Sequence, residues 1–149
     1  MTEQSLGSRP YAHVGIVVSD IEASRSAWAA VLGLPEPEIS VTDTLDTART
    51  EFRGAPTEAR ARLAFFHLGN VAIELIEPIG EPSSWAGQLR DHGESLHHVA
   101  FRIEGMADRL AFLGGQGLEL VQRGEYEGGR YAYLSGSSFG GIVELLEND

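Results

Sequence analysis

The sequence contains no cysteine, so disulfides, zinc ribbons, iron–sulfur clusters and thiol nucleophiles play no part in its fold or chemistry. It has no uninterrupted apolar run near the roughly 18 residues that a membrane-spanning helix needs. Its opening, MTEQSLGSRP, lacks the basic and apolar regions of a secretory signal. A soluble cytoplasmic protein is the expectation. Basic side chains are scarce, 11 against 22 acidic ones, for a formal charge of −11. Nucleic-acid binding draws most of its affinity from cationic side chains that neutralise phosphates, so DNA, RNA and anionic membranes are not expected partners. The carboxylate excess otherwise reads as a solvated surface. At 149 residues, 42% of them hydrophobic, the chain can bury roughly 70% of its unfolded surface without a metal or disulfide staple.

What is present is a duplication. HVGIVVSDIEASRSAWAAVLGL, from His13 to Leu34, has the layout of HVAFRIEGMADRLAFLGGQGL, from His98 to Leu118: a histidine, a short apolar strand, a turn with an acidic residue, an amphipathic helix and a glycine stop. Ile21, Trp28, Ala29, Val31 and Leu32 carry the helical period of the first copy, and Gly33 stands where a left-handed C-cap belongs. A second pair of segments matches as well, AIELIE at 72–77 and IVELLE at 142–147.

Strands are expected over 12–18, 62–68, 71–77, 98–103, 130–134 and 141–147, with weaker signals over 38–44 and 118–123. Gly69-Asn70 predicts a two-residue hairpin turn that sets His67 opposite Ala72 and Phe65 opposite Glu74, so that His67 and Glu74 share a face. A short helix is expected over 83–92, capped by Ser83 or Ser84. Residues 45–61 are the least patterned part, a long connection or a variable helix. The expected organisation is a flexible N-terminus over 1–10 and one domain over 11–149, its two modules at about 11–80 and 96–149 joined by the helix.

Polar side chains on apolar strands need an explanation, because burying an ionisable group without a partner is costly. His13, Glu74, His98 and Glu144 all stand on such strands, one histidine and one glutamate in each copy. Two imidazoles and two carboxylates suit a borderline divalent cation such as Zn, Co, Ni, Mn or Fe, in an open catalytic site rather than a closed structural one. In SLHHVAF, residues 95–101, the adjacent histidines should point to opposite faces of a strand. Because His98 precedes Val-Ala-Phe as His13 precedes Val-Gly-Ile, His98 is the expected ligand, and His97 is expected to face the other side, in packing or a hydrogen bond.

The run HVGIVV, a helix ending VLGL, then IELIEP, HHVAF and GGIVELLE resembles the vicinal oxygen chelate superfamily, which includes glyoxalase I, methylmalonyl-CoA epimerase, extradiol dioxygenases and bleomycin-resistance proteins. The likeness spans Tyr11 to Glu147. It implies an α+β fold of paired βαβββ modules whose strands curl into a U-shaped cleft with a metal at its base. By the same resemblance the ligands are His13, Glu74, His98 and Glu144. It also implies a small-molecule substrate and a homodimer; the cleft is completed either within one chain or by exchange across the dimer.

Among the members, IELIEPIGEPSSWAGQLRDHGESLHHVAF is most similar to the methylmalonyl-CoA epimerase segment, in which a metal-binding glutamine or glutamate precedes a helix and a G-x-x-HH-[IV]-A-F run. The implied activity is a metal-dependent epimerase or isomerase, with glyoxalase-type lyase chemistry or drug and metabolite binding as alternatives. Two departures stand out. The family's catalytic glutamate aligns with Leu63, leaving Glu58 or Glu51 from the neighbouring loop to supply a base, and Ser135, Gly136 and Ser137 replace its His-Pro-Lys segment. His67, an imidazole on the same face as Glu74, is a further candidate acid or base, as is Glu144 or Glu74 if it loosens from the metal. His92 reads as a helix C-cap residue, and Arg130, Tyr131 or Tyr133 as possible holders of a substrate carboxylate or phosphate.

Overall fold

The computed structural model describes Ser5, Leu6 and residues 12–149. Apart from Ser5 and Leu6, the expected flexible stretch 1–10 lies outside the described residues, as does Tyr11. The elements in chain order are β1 (Ala12–Val17), α1 (Ile21–Leu32), β2 (Ser40–Val41), α2 (Leu45–Ala48), β3 (Glu51–Phe52), β4 (Ala55–Pro56), β5 (Arg60–His67) and β6 (Val71–Ile79). They continue with α3 (Ser84–His92), β7 (Ser95–Arg102), α4 (Met106–Gly115), β8 (Glu119–Tyr126), β9 (Gly129–Ser135) and β10 (Ile142–Asn148). No helix among the described residues is long and apolar enough to cross a membrane.

The ten strands among the described residues form one sheet in the order β2-β5-β6-β1-β7-β10-β9-β8-β3-β4. Its centre is the antiparallel pair β1 and β7, and each flank repeats the other: β1 runs parallel to β6 as β7 runs parallel to β10. The two βαβββ modules are thus related by a pseudo-two-fold rotation at the β1/β7 seam, an α+β architecture with one helix behind each half. The Gly69-Asn70 turn closes β5 on β6 in the expected register, Phe65 opposite Glu74 and His67 opposite Ala72.

Each half has its own core between sheet and helix. Ile21 and Ala29 of α1 pack on Ala64, Phe66 and Leu75; Leu113 of α4 packs with Ile103, Ala132, Leu134 and Leu145. Asp20 caps α1 by accepting from Ala23 N, and Gly33 ends it at φ 68°, the left-handed region glycine enters without penalty. Val31, although in phase with the core positions, is 80% exposed.

The second glutamate of each repeated ELIE/ELLE segment has a structural task. Glu77 accepts from Ile21 N at the start of α1, and Glu147 accepts from Gly105 N and Met106 N at the start of α4. A carboxylate there satisfies orphan amides and complements the helix dipole. An arginine on the neighbouring strand steadies each one, Arg62 on Glu77 and Arg130 on Glu147. Arg130, a candidate substrate holder by sequence, is committed to this structural pair and to Asp149 on the helix side of the sheet.

Two expected elements come out differently. The strand expected over 38–44 shortens to Ser40 and Val41 in register with β5, with one more bond from Thr42 N to Ala61 O at 2.9 Å before the chain leaves the sheet edge. Residues 45–61 form neither a plain loop nor a long helix. They make the short α2 and the β3/β4 hairpin, which turns at Arg53-Gly54 with φ of 52° and 81° and pairs along β8 in the opposite half. That pairing covers a sheet edge whose amides would otherwise be open.

Candidate metal centre and cleft

Alternation along the central strands places one set of side chains on the concave face. Across the sheet, one row reads Phe65, Glu74, Gly15, His98, Ile142 and the next reads His67, Ala72, His13, Ala100, Glu144, Tyr133. Small residues flank the large ones, which gives the imidazoles room to lean together. Gly15 is the tightest case: a Cβ there would lie 2.1 Å from His98 Cε1. Gly15→Ala is expected to push the His98 ring aside and weaken divalent metal binding by at least about tenfold with little change in secondary structure, as measured by metal titration alongside circular dichroism.

The four residues expected to act together do meet, and all come from one chain. His13 Nε2 lies 2.9 Å from His98 Nε2. Glu144 Oε2 stands 3.2 Å from His13 Nε2 and 2.7 Å from His98 Nε2. Glu74 is set farther back, its oxygens 3.8 Å from His13 Nε2 and 3.7 Å from His98 Nε2. All four are buried. Despite these approaches, Glu144 Oε2 has no aligned hydrogen-bond donor. One ligand atom from each of His13, His98 and Glu144 lies within 4.8 Å of the others. A nitrogen-rich set with one or two carboxylates is what a borderline divalent cation takes, so these residues fit such an ion.

The electrostatics separate the two carboxylates. Burial, reinforced by the charge of Glu144, pushes Glu74 up to about 8. Glu144 is equally buried, but the adjacent His98 and His13 outweigh that burial and hold it down at about 2. Glu144 is therefore the standing anion of the cluster, and Glu74 is the member that keeps a proton in the metal-free protein.

His97 departs from the expectation of opposite faces. The β1/β7 register slips between Gly15 and Ile16, so that Gly15 faces His98 while Ile16 faces Leu96, leaving His97 as the extra residue of a β-bulge. The bulge brings His97 to the buried side beside His98. Its Nδ1 lies 2.9 Å from His98 Nδ1, its Nε2 lies 3.2 Å from Ser84 Oγ of α3, and its ring packs on Tyr133. Burial, then the neighbouring His98, drives its pKa down to about 3, so His97 is neutral and carries a single ring proton. A His98 Nε2 lone pair free for a cation requires the His98 proton on Nδ1, donated to His97 Nδ1, and His97 then donates from Nε2 to Ser84. His97→Ala is expected to keep the site but weaken metal affinity about 10- to 100-fold, the usual effect of losing an outer hydrogen bond to a ligand histidine, with partial rescue by His97→Gln in a competitive chelator titration.

The other candidates sit apart. His67 shares the concave face with Glu74, but it is exposed, and its ring stacks on Phe65 at a 6.2 Å centroid distance with Phe65 standing between it and His13. Glu58 is exposed before β5 and does not line the cleft, and Glu51 faces Arg123 on the hairpin side. The structure brings none of the three to the cluster. Leu63 lines the cleft as an apolar wall. His92 ends α3, with Gly93 N bonding back to Leu89 O.

Above the cluster is a cavity of about 380 Å³. Tyr131 and Tyr133 do face it, together with Trp85, whose indole N–H donates to Tyr133 Oη at 3.0 Å. Sequence reasoning missed Trp85, Phe65, Leu146 and Arg102 as lining residues. Arg102 was legible in principle, since it stands two and four places after Ala100 and His98 on the same strand face.

A two-module cleft with a buried His/Glu cluster at its floor defines the class of protein. The chain belongs to the glyoxalase/bleomycin resistance protein/dioxygenase superfamily, whose family model matches residues 12–133. Among curated proteins it is 32% identical over 139 residues to YqjC of Bacillus subtilis, covering 91% of this chain and 89% of that one. It is 28% identical over 146 residues to an ethylmalonyl-CoA/methylmalonyl-CoA epimerase of Cereibacter sphaeroides, covering 91% and 94%. Among solved structures, the methylmalonyl-CoA epimerase of Mycobacterium tuberculosis shares the fold at a TM-score of 0.66 with 23% identity, over 100% of this chain and 93% of that one.

Proposed function

We propose that the protein is a metal-dependent epimerase or isomerase that moves a proton at a carbon beside a carbonyl. The observation that carries this reading is the convergence of two imidazoles and two carboxylates on one point, with one carboxylate close to both histidines and the other set back from them. Its relatives named as epimerases support it. His13, His98 and Glu144 would hold a divalent cation, with Glu74 at the edge of its reach. When bound, the cation supplies Lewis acidity that polarises the carbonyl and offsets the negative charge developing as the neighbouring C–H proton leaves.

Proton transfer falls to the chain. Glu74 is placed to take the proton and return it, because it is not drawn into the close His13–His98–Glu144 contacts and has the higher proton affinity. Glu144 remains an anion that steadies both histidines. Phe65, Trp85 and Tyr133 enclose the site and limit water, which strengthens each charge interaction within it.

Elemental analysis of untagged protein is expected to find about one divalent metal per chain. Solvent deuterium should then enter a carbon-bound position of a substrate in a panel of 2-substituted acyl compounds followed by NMR. Metal-free protein after supplementation would remove the proposed chemistry; metal with no exchange across the panel would point instead to lyase activity or to binding without turnover.

A further inference from the structure

Tyr131 and Tyr133 share one face of β9, and both line the cavity. Tyr133 is paired with Glu144 across the β9/β10 ladder, and its ring centroid lies 5.1 Å from that of His98. Tyr131 stands one step farther from the cluster along the strand, its ring centroid 5.0 Å from that of Tyr133. The wall on the other side of the β1/β7 seam differs in kind, since Leu63 and Phe65 of β5 offer only carbon.

Each phenol oxygen is held by a nitrogen donor. Tyr133 Oη accepts from the Trp85 indole N–H at 3.0 Å, and an indole can only donate. Tyr131 Oη accepts from Gln122 Nε2 of β8 at 3.0 Å. The direction of the second bond is fixed as well, because Gln122 Oε1 takes the Ser84 backbone N–H at 2.8 Å, which leaves only the amide nitrogen to face Tyr131. Gln122 is buried. Gly124, paired with Tyr131, leaves the space that the ring fills: a Cβ there would lie 2.7 Å from Tyr131 Cε1 and 2.9 Å from its Oη.

A hydroxyl that accepts from a fixed N–H sends its own proton elsewhere. Among the described residues neither phenol proton has a protein acceptor. The bonds from Trp85 and Gln122 therefore orient the two O–H groups and leave their donor capacity unspent. Polar groups in a buried wall are paired in native structures, so the acceptors for these protons belong to what the cavity holds.

We infer that Tyr131 and Tyr133 donate hydrogen bonds to oxygens of the bound substrate, a compound whose carboxylate or second carbonyl extends from the cluster along β9 while its carbon substituent lies against Leu63 and Phe65. Gln122 does not reach the substrate; it acts through Tyr131 as a positioning residue. The inference deepens the proposed function and rests on its metal centre to hold the other end of the substrate.

Zinc-loaded protein would be titrated calorimetrically with malonate, whose carboxylates supply oxygens to the cation and to the phenols together, and with imidazole, which binds a cation through nitrogen and offers a phenol no oxygen. Tyr131→Phe and Tyr133→Phe keep the rings and remove only the hydroxyls. Each is expected to weaken malonate about ten- to hundredfold, the usual cost of a hydrogen bond to a charged group, and to leave imidazole unchanged. Gln122→Leu should weaken malonate less, and should add nothing to the loss in Tyr131→Phe when the two are combined, because both act on one hydroxyl. Equal malonate affinity in wild type and both phenylalanine variants, or a parallel loss of malonate and imidazole, would overturn the inference and leave the tyrosines as packing. A loss confined to malonate, in a protein that exchanges no deuterium into the acyl panel, supports the inference while sinking the proposed reaction. Exchange at one rate in wild type and both variants, with malonate affinity unaltered, keeps the reaction and sinks the inference.

Discussion

Alanine at position 98 is expected to reduce the bound divalent metal from about one per chain to below detection. His98 Nε2 is the nitrogen closest to Glu144, its side chain is fully buried, and it shares the 2.9 Å contact with His13. A structural set of four ligands contributes about 10–16 kcal/mol of apparent binding energy, so each ligand carries roughly 3 kcal/mol and its loss weakens binding at least about 100-fold. The loss should exceed that in His97→Ala, because His97 touches only the far side of the His98 ring. Elemental analysis and a chelator-competition titration of both variants give the ranking, and near-ultraviolet circular dichroism checks that the aromatic core around Trp85 and Tyr133 stays ordered. Stoichiometric metal in His98→Ala would remove His98 from the ligand set and leave its buried pairing with Glu144 as the only role for it.

The duplicated pattern made much of this arrangement readable before any coordinates. A histidine opening each strand-helix copy and a glutamate in each ELIE/ELLE segment identified the four buried polar residues, because their equivalence under the repeat is the same relation that the β1/β7 seam imposes in space. The Gly69-Asn70 turn gave the β5/β6 register for a local reason, since a two-residue loop leaves one pairing open. His97 was not readable in the same way. Alternation assigns adjacent residues to opposite faces, and only the pairing of β7 with β1, a contact between distant segments, shows that a bulge absorbs one residue.

The β3/β4 hairpin was hidden for a related reason. Residues 45–61 carry little period of their own, because β3 and β4 are two residues long and β3 is held in the sheet by β8, more than sixty positions downstream in the chain. Glu77 and Glu147 show the converse. Each lies beside a candidate ligand strand position and invites a functional reading, but both are taken up by the amides of a helix start. Within a repeat, symmetry therefore marks structural carboxylates as faithfully as functional ones, and burial separates them: Glu74 and Glu144 are buried, whereas Glu77 and Glu147 are half-buried at the sheet surface.

Glutamine at position 74 should leave the metal in place and slow deuterium exchange into substrate about 10²- to 10⁴-fold, the usual range for removing a general base. Glutamine at 144 should instead lose the metal, because Glu144 is the carboxylate in close contact with both histidines. The distinction has a signature in stability that needs no substrate. Folding raises Glu74 from an ordinary 4.5 to about 8. Between those values the folded, metal-free protein holds a proton that the unfolded chain has released, so stability is greatest at the acid end of the window and falls as pH rises toward 8, by up to about 1.4 kcal/mol per pH unit. His97 works in the opposite sense and lower down. Its folded value of about 3 lies under an ordinary 6.5, so its contribution is lost on acidification below 6.5. Between pH 6.5 and 8 the metal-free wild type is therefore expected to melt at progressively lower temperature, while Glu74→Gln stays nearly level. Saturating zinc should flatten the wild-type slope, because a cation held by His13, His98 and Glu144 beside Glu74 favours the anionic form of that carboxylate. A Glu74→Gln variant that exchanges deuterium at the wild-type rate, or a wild-type melting temperature that does not change from pH 6.5 to 8, would transfer the proton-carrying role to Glu144.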